Sequence, residues 1–167
     1  MKLNLFRSLL FVSMISILNS CSSDSTELPT SNTSSLKVNE YNYSVTELQT
    51  MDLINTYRVS IGLNALEKIN HISSKSEEHD YYMITNNVVN HNDFVARSEN
   101  IMKVLGAKSV SENIAYNFNT PQSVLDAWLA SPAHKVNIEG NFTHFGISIR
   151  ENPITGKKYY TNIFAKI

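Results

Sequence analysis

The sequence predicts a mixed domain in which helices pack on a late strand pair, an α+β or layered α/β/α arrangement. Three observations lead there. Apolar residues recur at three- and four-residue spacing through much of the chain, and strict alternation replaces that period near the end. The 167 residues, 42% hydrophobic and 17% charged, suffice for one sizeable core but not two.

The elements follow in order. Ser44 with Glu47 three residues on forms a capping-box pattern. Leu48, Met51, Ile54, Arg58 and Ile61 then recur at helical spacing, and Gly62 suits the left-handed closing position. A second helix is expected over 70–86, with Ile69, Ile72, Ser76, His79 and Met83 inward. Glu77-Glu78-His79-Asp80 then reads as a solvated acidic face with one inward histidine, because adjacent helical residues point apart. Pro121 after Asn119-Thr120 opens a third helix through Val124, Leu125 and Trp128 that ends at Ser131-Pro132. Phe145, Ile147 and Ile149 alternate with polar or small neighbours as a strand. Asn152 to Gly156 supplies a turn, and residues 159–167 return as its hairpin partner.

The N-terminus reads as an address. Lys2 and Arg7 precede an apolar run from Leu9 to Leu18, shorter than the ~20 residues of a spanning helix and suited to a secretory signal. Leu18-Asn19-Ser20-Cys21 resembles the lipobox of bacterial lipoproteins, in which the cysteine is acylated and heads the mature chain. Acylation also accounts for a single cysteine, which otherwise leaves an exposed thiol on a secreted protein. The expected division is a signal over 1–20, the lipidated cysteine and a Ser/Thr-rich flexible tether over 21–40, and a folded domain over 41–167.

Composition excludes several classes. Lys and Arg total 14 against 15 Asp and Glu, a net charge of −1, which falls to −3 once Lys2 and Arg7 leave with the signal. No basic excess exists for a phosphate backbone, so nucleic acid is not an expected partner. One cysteine excludes an internal disulfide, a two-cysteine metal site and a CxxC motif. HExxH, GxSxG, the P-loop and GxGxxG are all absent.

What remains is a set of polar residues in apolar settings: His91 after Val88-Val89-Asn90, Glu112 before Asn113-Ile114-Ala115, and His134 after Ser131-Pro132-Ala133. With Asn55-x-Tyr57-Arg58, Gly62-Leu63, Leu66, Asn90-His91 with Phe94 and Arg97, Asn137-Ile138, Phe142, Gly146-Ile147 and Tyr160-Thr161-x-x-Phe164, these segments resemble the CAP superfamily, also called the SCP family, over about residues 47–166. The resemblance implies a three-layer α-β-α sandwich with a cleft. In many members the cleft holds two histidines and two acids, and in some a zinc or other divalent ion. His91 and His134 match the histidines and Glu112 the first acid. The second acid is missing: Ser131 stands where many eukaryotic members carry Glu, and His144 where many bacterial relatives do.

Two imidazoles and a carboxylate make a sensible open zinc site with water as fourth ligand. Without metal, a His–Glu hydrogen bond would instead fix one imidazole tautomer and stabilise the cleft. The expectation is weak divalent binding at most, through His91, His134 and Glu112. Elsewhere, His79 is expected as a satisfied core histidine and His71 as a solvated residue at a helix start. Trp128 is expected as a core anchor with its N–H partnered. Arg58 is expected to tie down a carboxylate or loop, and Tyr81, Tyr82, Tyr159 and Tyr160 to pack or to edge a surface.

The leading functional expectation is a lipid-anchored extracytoplasmic binding module in a bacterial envelope, on the outer membrane. It would take a small apolar molecule, a glycan or a protein. The alternatives are a metal-assisted, peptidase-like hydrolase using His91, Glu112 and His134, and a purely structural envelope protein with an unliganded cleft.

Overall fold

Ser44 opens the first helix as its spacing requires. Its hydroxyl accepts from the Glu47 amide at 3.2 Å, while the Glu47 carboxylate accepts from the Ser44 amide at 2.7 Å. A computed structural model describes residues 40–167, so the signal, Cys21 and nearly all of the tether lie outside the described residues. The elements run α1 (Val45–Ser60), β1 (Glu67–Lys68), α2 (Asn70–Asn86), α3 (Phe94–Leu105), β2 (Ser109–Tyr116), α4 (Pro121–Ala130), α5 (Pro132–Ile138), β3 (His144–Glu151) and β4 (Lys158–Lys166).

The strands form one sheet in the order β1-β3-β4-β2. β4 is antiparallel to both of its neighbours, and β1 adds two residues parallel to β3. Strand alternation divides the core in two. Phe145, Ile147, Tyr160 and Phe164 face Met51, Ile54, Leu125 and Trp128 from α1 and α4. On the opposite face Ile163 and Ala165 meet Ile72 of α2 and Ile101 of α3, and Tyr159 and Ile114 meet Met83. The result is the three-layer α-β-α sandwich expected. Among the described residues no helix is long and apolar enough to cross a membrane.

Several local expectations hold. Trp128 is buried and its indole N–H donates to the Ile114 carbonyl at 2.9 Å. Arg58, fully buried, ties down loops rather than a carboxylate, donating to the carbonyls of Asn64, Ile138, Gly140 and Phe142. Gly146 is where α2 lies nearest the sheet: a Cβ there would sit 2.3 Å from the Ser73 nitrogen.

Others need correction. Leu48 and Ile61 are exposed, because α1 buries Glu47, Thr50, Met51, Ile54 and Arg58 instead. Asp80 is fully buried and accepts from the Thr161 hydroxyl at 2.7 Å. Half-buried Glu77 pairs with Arg150 at 2.7 Å, so only Glu78 of the acidic run is solvated. The reason is that α2 packs along the sheet beside α3, and Asp80 and Glu77 turn toward the strands, where Thr161 and Arg150 meet them. His71 is half-buried and bonds Asn100 Oδ1 at 2.8 Å. The tyrosines left open between packing and surface divide without contradiction: Tyr159 and Tyr160 belong to the core, whereas Tyr81 is exposed.

Candidate functional site

The site gathers at β2, the strand on one edge of the sheet. Glu112 points from β2 toward α3, and Asn113, one residue on, points to the opposite face. Arg97 lies one turn into α3 and reaches back to Glu112. Its Nε donates to Oε2 at 3.0 Å and its Nη2 to Oε1 at 2.9 Å, a two-pronged pair with both residues buried. Arg97 Nη1 also donates to the Asn92 carbonyl at 2.7 Å, which fixes the turn carrying His91.

His91 completes the chain. Its Nδ1 stands 2.8 Å from Glu112 Oε1. A carboxylate accepts, so Nδ1 carries the proton and donates, leaving Nε2 as the bare ring nitrogen. The His91 side chain is 48% exposed, against 1% for that of Glu112. The arrangement is thus a buried anion behind a half-exposed, oriented imidazole.

His134 comes from the opposite layer, on the first turn of α5 after Pro132. The side-chain amide of Asn113 donates to its carbonyl at 3.0 Å. Asn137 donates to Asn113 Oδ1 at 2.8 Å and to the Glu112 carbonyl at 3.3 Å, so α5 is tied to the strand that carries Glu112. Burial first, then repulsion from nearby His91 when that ring is protonated, pushes the His134 imidazole below the ordinary histidine value. His91, Glu112 and His134, far apart in sequence, therefore share one end of the domain.

The two positions left without an acid differ in place. Ser131 is the hinge residue between α4 and α5, adjoining the segment of His134. His144 begins β3 beside β1, where it faces Glu67 at 3.7 Å and bonds the Thr143 hydroxyl at 2.8 Å, two strands away from β2.

A catalytic zinc site does not fit this geometry. Both oxygens of Glu112 are engaged, by Arg97 and by His91. Among the described residues no three His, Cys, Asp or Glu side chains are grouped to hold a metal ion. The donors left to a cation are the imidazoles of His91 and His134, with Glu112 behind the first as an orienting carboxylate.

Three contributors, Arg97, Asn113 and Asn137, have no role assigned by the sequence alone. Arg97 was noted only within a motif, although its place one turn into α3 was signalled by Phe94, Ile101 and Leu105 at helical spacing. Asn113 and Asn137 carried no signal of their own, since their bond depends on the packing of α5 against β2.

The model of the cysteine-rich secretory protein family, CAP, matches residues 51–164. The Bacillus subtilis membrane protein YlbC is 29% identical over 130 residues, 74% of this chain and 35% of its own length. YkwD of the same organism is 32% identical over 113 residues, 65% of this chain and 44% of its own length. The chain therefore spans less than half the length of these curated relatives. Among solved structures, an outer surface protein of Borrelia burgdorferi has a TM-score of 0.64 at 20% identity, covering 76% of this chain and 98% of that one. An extracellular protein containing an SCP domain, from Bacillus anthracis, has a TM-score of 0.63 at 25% identity, covering 73% and 40%.

Proposed function

The chain belongs to the cysteine-rich secretory protein family, and on that premise we propose that it is an extracytoplasmic binding module rather than a hydrolase. The observation that carries this reading is the commitment of Glu112. A carboxylate gripped by Arg97 on both oxygens, bonded to His91 as well and with its side chain only 1% exposed, is spent on positioning and is not open to a substrate water. What faces a ligand is a pair of imidazoles, His91 held in one tautomer and His134 kept neutral by burial. Such a surface suits recognition of a small apolar molecule, a glycan or a protein segment.

The proposal includes a bacterial envelope location with an acyl anchor at Cys21 on the outer membrane. It is supported by the lipobox-like Leu18 to Cys21 and by relatives named as an extracellular protein and a membrane protein. Lipid labelling should disappear in Cys21→Ala, and labelling that persists there would refute the anchor.

Zinc or another divalent cation would find only two imidazoles, so its binding is weak and no hydrolytic step runs through it. Calorimetry with Zn²⁺ on wild type and on His91→Ala/His134→Ala, beside a peptide-hydrolysis assay, tests the reading. The expected result is weak binding that fades as pH falls through the histidine range, is lost in the double variant, and comes with no turnover. Tight binding with hydrolysis that the double change abolishes would establish an enzyme instead.

A further inference from the structure

The chain enters the domain beside the turn that joins β3 to β4. Arg150, next to last in β3, donates from Nη2 to the Tyr41 hydroxyl at 2.8 Å, and its guanidinium lies 5.5 Å from the centre of the Tyr41 ring. Glu47 accepts from the Ile149 amide at 2.9 Å, whereas Asn55, two turns on, reaches Leu66 beside the start of β3. The first helix therefore starts at the hairpin end of the sheet and runs away from it. Tyr41 stands twenty residues after Cys21, a length of chain that spans at most about 70 Å.

The hairpin tip is closed on itself. Asn152 Oδ1 accepts from the amides of Ile154 at 2.9 Å and Thr155 at 3.1 Å, and the Gly156 amide returns to the Asn152 carbonyl at 2.8 Å. These bonds satisfy the turn from within, yet the Ile154 side chain stands out, 92% exposed. Nothing in the fold uses it. Two more apolar side chains open at the same end. Val45, the first residue of α1, is 71% exposed, and Tyr116, the last of β2, is 38% exposed and set edge-on to Tyr159. Charge is balanced here: Arg150 is spent on Glu47 and Glu77, and Lys157 and Lys158 stand against exposed Glu40 and Glu151.

We propose that this end of the domain docks on the bilayer that holds Cys21, with Ile154 seated among the lipid tails and Val45 and Tyr116 at the lipid–water boundary, where an amphipathic ring is favoured. Two aliphatic side chains hold a free protein on a membrane only weakly. An acyl group already in that membrane makes the contact intramolecular, and a weak contact then suffices to set orientation. Balanced charge means that the contact needs no anionic lipid. Glu112 lies four residues back along β2 from Tyr116, roughly 13 Å from the docked end, so His91 and His134 stand clear of the lipid. The inference rests on the acyl anchor at Cys21.

The test places a fluorescent probe at Pro153→Cys, beside an intact Ile154, or at Lys103→Cys, exposed at the opposite end of the sheet, in the full acylated chain, which holds no other free thiol. Each is reconstituted in phosphatidylcholine vesicles whose acyl chains carry a nitroxide quencher. The probe at position 153 should be quenched and the probe at position 103 spared. Adding Ile154→Ser should lower the docked-to-undocked ratio about tenfold, the worth of one buried aliphatic side chain. Co-flotation with the vesicles, lost in Cys21→Ala, reads the anchor separately. Flotation with both probes quenched or both spared, or quenching indifferent to Ile154→Ser, overturns the docking and leaves the anchor standing. A probe at position 153 whose emission turns apolar without lipid quenching assigns the tip to a second copy of the chain or another protein, and also overturns it. Failure to float overturns anchor and docking together.

Discussion

Arg97 grips Glu112 by two parallel hydrogen bonds at 2.9 and 3.0 Å, and both residues are buried between α3 and β2. Glu112 is therefore a fixed anion whose outward expression is the orientation of His91. Removing one partner strands the other. Arg97→Leu should cost roughly 3–5 kcal/mol in urea unfolding, and adding Glu112→Leu should recover much of it. Purely additive losses would show that the two do not act as a unit. Ring-nitrogen NMR of His91 should report the Nδ1–H tautomer in wild type and a mixture in Glu112→Leu.

Trp128 anchors the face of the core under α1 and α4. Trp128→Ala should cost on the order of 3–5 kcal/mol, whereas Lys135→Ala, on the exposed side of α5, should change stability by less than about 0.5 kcal/mol. Paired thermal melts decide the matter, and coincident curves would remove Trp128 from its role.

Gly146 permits the contact of α2 with the sheet. A methyl group there meets the backbone of Ile72 and Ser73, which cannot turn aside. Gly146→Ala should therefore cost about 1–3 kcal/mol or more by overpacking. Gly140→Ala is a useful contrast, because its added carbon meets chiefly the Phe142 ring, a side chain able to shift. Equal unfolding midpoints for the two variants would contradict this account.

Asp80 gives the domain a pH dependence. Burial holds its carboxyl well above the ordinary value of 3.8, against the smaller opposing effect of the Thr161 hydroxyl bond. Folding thus favours the protonated form. The associated stability is complete below 3.8 and drains away as pH rises through the folded value. Asp80→Asn, which copies the neutral acid, should flatten that slope and stabilise the protein at neutral pH by on the order of 1 kcal/mol. If the two proteins keep a constant stability difference between pH 4 and 8, Asp80 is not the group responsible.

Much of this architecture was legible because it depends on neighbours in sequence. The Ser44–Glu47 box, the 70–86 helix, Pro121 and the turn before β4 all announce themselves within a few residues. β2 escaped because Glu112 interrupts its alternation at an inward position, and only the distant Arg97 makes a carboxylate tolerable there. α5 escaped because Pro132 ends one helix while starting the next. His91, Glu112 and His134 were legible through family resemblance alone. Their division of labour was not, since hydrogen-bond partners in three dimensions set which carboxylate oxygens remain available.

The position of β4 at the middle of the sheet, between β3 and β2, bears on how the chain is made. Every preceding element exists before β4 does, yet β2 and β3 share no hydrogen bonds without it. An N-terminal fragment leaving a ribosome or a membrane pore has helices and stray strands but no closed sheet. Cooperative closure must wait until Lys166 has emerged, because the pairings that seal both faces are long-range and late. The topology thereby keeps the nascent polypeptide pliable, a state compatible with threading through a narrow translocation channel. It also concentrates commitment to the native form into a single final event.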